Sequence, residues 1–143
     1  MGGTPDVLAT VDNTSQTTTA GSALTFNATP LVTGNAITHT AGSTDVGINQ
    51  PGIYQASFHS TVSANTGGSI PASVMVRLFQ GGTPVTGAVA SHTFTASSEV
   101  STISFNVPFQ VTNAPTTVQV VPANAGFTFA DSALTVIRLG DTP

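Results

Sequence analysis

Between Pro51 and Ala64 the chain reads PGIYQASFHSTVSA, a turn followed by a long alternating run. Successive side chains of a strand point to opposite faces. Tyr54, Ala56, Phe58, Ser60 and Val62 therefore share one face, and Ile53, Gln55, Ser57, His59 and Thr61 share the other. Neither face is fully charged or fully apolar. Such a strand belongs in a sheet whose second face meets something other than bulk water, which points to an assembly and not to catalysis.

The rest of the chain carries strand signals and no helical repeat of apolar positions. Asp6 to Thr14 predicts a first strand through Val7, Ala9 and Val11, followed by a loop at SQTTTAG. Short strands follow at Ala23 to Phe26 and Ile37 to Thr40, with a bend at Pro30 to Asn35 between them, and Thr44 to Ile48 leads into Gln50-Pro51-Gly52. Past the NTGGS loop, Ser73 to Gln80 places Val74, Val76 and Leu78 on one side, Gly81-Gly82 ends it, and Thr83 to Phe94 is extended.

Ser101 to Thr112 alternates most strictly, with Ile103, Phe105, Val107, Phe109 and Val111 against Thr102, Ser104, Asn106, Pro108 and Gln110, so one face is dry and the other wet. Pro108 cannot donate to a ladder and places this strand at an edge or at a bulge. Strands at Thr116 to Val121, Phe127 to Phe129 and Ala133 to Leu139 complete the chain. Eight to ten short strands with frequent turns give an all-β jelly-roll β-sandwich.

Composition narrows the function classes. A chain of 143 residues suits one domain with its own core, and without cysteine it has neither disulfides nor thiolate metal sites. Arg77 and Arg138 are the only basic residues besides histidine, so nucleic acid lacks its usual electrostatic anchor. Charged residues are 6% of the chain, against roughly 25% in ordinary soluble domains. A surface of Thr, Ser, Asn, Gln and Gly suits an extracellular or particle-surface protein, or a subunit that buries much of itself in an oligomer. No apolar run approaches the roughly 20 residues of a membrane-spanning helix, and the N-terminus has no secretory h-region. Met1-Gly2 reads as the start of an excised or recombinant fragment.

The order of features resembles the trimeric jelly rolls of the tumour necrosis factor and complement globular-head family. Within it, the chain is most similar to the C-terminal domains of bacterial collagen-like surface glycoproteins of the BclA spore-exosporium type. The resemblance spans roughly residues 20 to 140. It rests on Ala23-Leu24-Thr25-Phe26, Gln50-Pro51-Gly52-Ile53-Tyr54 running into Phe58-His59, the Leu78 to Val85 hairpin, and Gly126-Phe127-Thr128-Phe129 with Ser132 to Leu139. Thr112-Asn113-Ala114 stands where the family places Gly-Asp, and of a Gly-X-Y stalk only Gly3-Thr4-Pro5 is readable as a last triplet.

The resemblance implies a homotrimer in which one sheet faces a threefold axis. It divides the chain into an N-terminal strand and loop (1–19) that can end a collagen-like stalk, a jelly roll (20–140) and a tail (141–143). It also implies a structural trimerisation head for a surface filament, with no cofactor and no membrane insertion. The alternative is a trimeric receptor- or carbohydrate-binding tip of a surface or phage fibre, with a host receptor or surface glycans as partners. The expected trimer interface is Ile53, Gln55, Ser57 and His59, with Tyr54, Ala56 and Phe58 in the core.

Chemistry-bearing residues are sparse. His39, His59 and His92 form no His-x-His or HExxH pattern. The bland expectation makes His39 and His92 exposed, with His59 at the trimer contact. A GxSxG elbow is absent, so the expectation is no enzyme. Asp45, Asp131 and Asp141 lack the spacing of a calcium loop and read as solvated. Arg77 and Arg138 lie within strands, where one of them is expected to neutralise a partly buried acid such as Glu99 or Asp131. Asn13 and Asn27 both match the N-glycosylation pattern.

Overall fold

The computed structural model describes residues 4–143, so Gly3 of the expected last triplet lies outside the described residues. Among the described residues ten strands form two antiparallel sheets. The first sheet has the order β2-β1-β10-β5-β8, from β1 (Val7–Thr17), β2 (Ala28–Thr33), β5 (Gly52–Ala64), β8 (Val100–Val111) and β10 (Phe127–Gly140). The second has the order β3-β4-β9-β6-β7, from β3 (Ile37–His39), β4 (Val46–Ile48), β6 (Ala72–Gln80), β7 (Thr83–Phe94) and β9 (Thr116–Pro122). This is a jelly-roll sandwich, as the alternation predicts.

The core between the sheets is built from the expected inward faces. Tyr54, Ala56, Phe58 and Val62 are buried on β5, Val74, Val76 and Leu78 on β6, and Ile103, Phe105, Val107, Phe109 and Val111 on β8. Within the first sheet, aromatic pairs across the β5–β8 ladder stack, Tyr54 on Phe109 at 5.9 Å and Phe58 on Phe105 at 5.3 Å. Pro108 lies in register with Gln55, and β8 is an edge strand of its sheet, so the missing N–H can face outward without breaking the ladder.

Four segments differ from expectation. β1 runs on to Thr17 through the stretch expected to be a loop, with a register shift between Asp12 and Ser15. Ala23 to Phe26 is not a strand, although Leu24 and Phe26 plug the core at 2% and 0% exposure. Its middle residue finds a side chain in place of a neighbouring strand: Thr25 N donates to Gln16 Oε1 at 3.0 Å, and Gln16 Nε2 donates to Thr25 O at 2.9 Å. The backbone polar groups are thus satisfied without a ladder.

The bend expected at Pro30 to Asn35 is mostly strand β2, because Pro30 sits on an edge strand where a lost donor is tolerated. The two strands expected after Gly126 are one, β10, broken in register between Ala130 and Ala133, with Asp131 at φ 53°. The bulge is stitched by buried hydroxyls: Ser60 Oγ donates to Ala130 O at 3.1 Å and sits 2.9 Å from Ser132 Oγ.

At the start of β5, Gly52 is required by close approach. A Cβ there would stand 2.5 Å from Gly140 O and 2.9 Å from Arg138 Nε. Arg138 wraps this corner, donating from Nη2 to Pro51 O at 2.8 Å and to Asp141 Oδ1 at 2.9 Å.

Candidate functional site

The outer face of the first sheet is where the expected interface residues lie. Ile53, Gln55, Ser57 and Thr61 are half-buried and His59 is exposed, all pointing away from the core, while Tyr54, Ala56 and Phe58 point into it. Register sets their neighbours, because paired residues on adjacent strands share a face. Val7, Ile137, Gln55 and Pro108 form one row across β1, β10, β5 and β8. Ala9, Thr135, Ser57 and Asn106 form the next, which Leu31 extends onto β2 at 49% exposure. Val11, Ala133, His59 and Ser104 form the third. Among these thirteen residues the only ionisable side chain is that of His59.

β1 is turned so that its apolar positions belong to this outer face. Val7, Ala9 and Val11 point outward, whereas Leu8, Thr10 and Asp12 point into the sandwich and are buried. The inward polar groups are satisfied locally. Thr10 Oγ1 donates to Ala28 O at 2.7 Å. The Asp12 carboxylate accepts from Thr14 N at 2.9 Å, Thr14 Oγ1 at 2.5 Å and Gln16 Nε2 at 2.6 Å. A strand that buries a carboxylate and turns two valines outward presents a surface suited to a covering partner.

The polar residues of the face are tied to one another. Gln55 Nε2 and Ser57 Oγ, the latter at 2.9 Å, both donate to Asn106 Oδ1. Asn106, Thr135, Ile137 and the β1 residues are absent from the interface expected from sequence. Their alternation is visible in the chain, but which strands flank β5 is not. His59 opens onto a hollow of 300 Å³ shared with Val11, Asp12, Asp131 and Ala133.

The other titratable groups are paired elsewhere. His39 is half-buried and not exposed as expected: its Nε2 donates to Ser43 O at 3.0 Å and its Nδ1 meets Thr29 Oγ1 at 2.7 Å. His92 is also half-buried, edge-on to Phe94, and its Nε2 lies 2.6 Å from Glu99 Oε2. Histidine, not arginine, therefore meets Glu99, and the partner of Arg138 is the exposed Asp141. The Thr95 backbone N–H, and then the His92 side chain, hold the Glu99 carboxyl below its ordinary value. Burial pushes the Tyr54 phenol up, opposed by neighbouring Arg138, and the phenol donates to Gln50 O at 2.7 Å.

Asp45 is half-buried and not solvated, and it accepts from Thr44 Oγ1 and Gln119 Nε2. Asp131 and Asp141 are exposed. Among the described residues no three His, Asp or Glu side chains gather in a metal-binding arrangement. Asn27 Nδ2, a glycosylation candidate, donates to Asn13 Oδ1 at 2.8 Å.

No family model and no curated protein matches the chain. Solved structures do. The chain is similar to the globular domain of zebrafish complement 1qA protein, with a TM-score of 0.72 at 13% identity over 96% of this chain and 99% of that one. Murine APRIL at pH 5.0 superposes with a TM-score of 0.74 at 11% identity, over 95% and 100% of the two chains. Eiger TNF from S. frugiperda gives 0.71 at 9% identity, over 96% of each. The fold is that of the tumour necrosis factor and complement globular-head jelly rolls.

Proposed function

We propose that three copies of this domain associate through the outer face of the first sheet, and that the trimer is the structural head of a bacterial collagen-like filament on a spore or cell surface. The observation that carries the reading is the orientation of β1, which turns Val7, Ala9 and Val11 outward beside Ala133 and Ile137 and keeps Asp12 inside. Ile53, Gln55, Ser57 and His59 continue that face and belong to the contact. A rotational arrangement in which each copy meets the next closes as a ring and leaves no open edge for further growth.

The role is one of concentration. Val7 pairs with Ile137, so the start of β1 and the end of β10 lie at the same end of the sandwich. A trimer gathers three such ends, which raises the effective concentration of any segments that leave from them and favours their winding together. The sparse charge suits a subunit that is partly covered and a surface location.

Thr135→Arg tests this. Thr135 is outward and half-buried in the middle row of the face, so arginine there leaves the core intact and sets three cations against one another in the assembly. The variant is expected to sediment as a monomer with an unchanged circular dichroism spectrum. Thr93→Arg, at an exposed position on the second sheet, is expected to sediment as the native protein does. A Thr135→Arg protein that keeps the native mass would refute the interface.

A further inference from the structure

The end of the sandwich opposite the chain ends carries a second feature, complete within one protomer. The β5–β6 and β9–β10 loops meet there around a hollow of 420 Å³, within the range of roughly 300–1,000 Å³ of small-molecule pockets. Among the described residues no charged side chain lines it. Two asparagines do, and each has its amide oxygen occupied: Asn65 Oδ1 accepts from Thr128 Oγ1 at 2.5 Å, and Asn124 Oδ1 accepts from Met75 N at 3.0 Å. Those bonds occupy the amide oxygens, while neither Nδ2 has a protein partner among the described residues. Two free amide donors thus belong to the lining of the hollow, together with the small apolar side chains of Ala72 and Ala123.

We infer that this hollow binds a neutral polyhydroxylated ligand, a sugar residue of a glycan, through the amide N–H groups of Asn65 and Asn124. Hydroxyl and ring oxygens accept from such donors, and the C–H face of a pyranose packs on small apolar side chains. An anion or a cation would find no opposite charge. Phe127 is only 3% exposed and offers no stacking platform, so a single site binds weakly. Repetition on an assembly strengthens the contact by avidity. The site itself does not depend on trimer formation.

The test is titration of the ¹⁵N-labelled full chain with methyl glycosides of glucose, galactose, mannose and N-acetylglucosamine, with sodium sulfate as the anionic probe. The expected result is saturable shifts, for at least one sugar, confined to amides at and between the lining residues, at position 20 and over 64–73 and 123–127. Asn124→Asp keeps the oxygen that accepts from Met75 and removes the free donor, and is expected to weaken binding about tenfold or more. Ala123→Trp, at an exposed position, fills the hollow without touching the core and is expected to abolish the shifts. No saturable shift with any sugar, shifts that map elsewhere, a response to sulfate alone, or native affinity in the Ala123→Trp protein would overturn the proposal. Because the readout is the occupancy of one protomer's site, its failure is distinct from a failure of the trimer.

Discussion

The Gln16 side chain forms a two-bond pair with the Thr25 backbone, at 2.9 and 3.0 Å, and holds the Leu24–Phe26 plug against β1. The same amide donates to the buried Asp12 carboxylate at 2.6 Å. Gln16→Ala therefore removes a partner from the buried Asp12 carboxylate and leaves the exposed Thr25 backbone groups to water. The expected cost is about 1–3 kcal/mol for the unsatisfied buried group, read as a lower urea midpoint with an unchanged slope. A midpoint within error of the native value would show that water replaces Gln16 without penalty.

Glu99 gives an acid-side prediction. Its carboxyl titrates below the ordinary value of 4.5 in the folded chain, because Thr95 N–H and His92 stabilise the charged form. A depressed carboxyl contributes stability that is fully present above the unfolded value and lost as pH falls through the folded one. The native protein should lose thermal stability between about pH 5 and pH 3 more steeply than Glu99→Gln does. Parallel melting curves for the two proteins across that window would contradict the pairing.

Tyr54 gives the alkaline counterpart. Burial raises its phenol above the ordinary 10.0, so the neutral form is the folded one. That stability is fully present below the unfolded value and is lost as pH rises through the folded value. Tyr54→Phe removes the bond to Gln50 O and is expected to cost about 1 kcal/mol at neutral pH. It is also expected to flatten the alkaline loss in melting temperature. An equally steep alkaline loss in the phenylalanine variant would assign it to another group.

His59 gives a prediction that rests on the proposed trimer. Its side chain is exposed on the outer face, in the row of Val11, Ala133 and Ser104. His59→Glu would set like charges against one another where copies meet and is expected to sediment as a monomer, whereas His59→Gln is expected to keep the native mass. A His59→Glu protein that keeps the native mass would exclude His59 from the contact.

The sandwich was legible because β5, β6 and β8 alternate cleanly, and the inward aromatics Tyr54, Phe58, Phe105 and Phe109 mark which side is dry. Pro108 located an edge for the same physical reason that Pro30 concealed one: a proline is acceptable on any strand whose N–H faces outward. The sequence predicts two strands in place of β10 because Asp131 interrupts the alternation, whereas the ladder resumes at Ala133 opposite Val11 and His59 on the flanking strands, which the sequence does not show to be neighbours. His39 could not be placed from its Thr-His-Thr context, since Thr10 and Thr29 reach it from distant parts of the chain. The outer face was half legible. Its β5 residues follow from period two, but the rows that join them to Val7, Thr135 and Asn106 depend on strand order, which local pattern does not encode.

The central claim is that the outer face of the first sheet is covered by copies of the same chain, and the molar mass in solution tests it most directly. Light scattering on a size-exclusion column at neutral pH should give three times the 14.3 kDa of one chain. A mass of 14.3 kDa, holding as the concentration is raised, would contradict it.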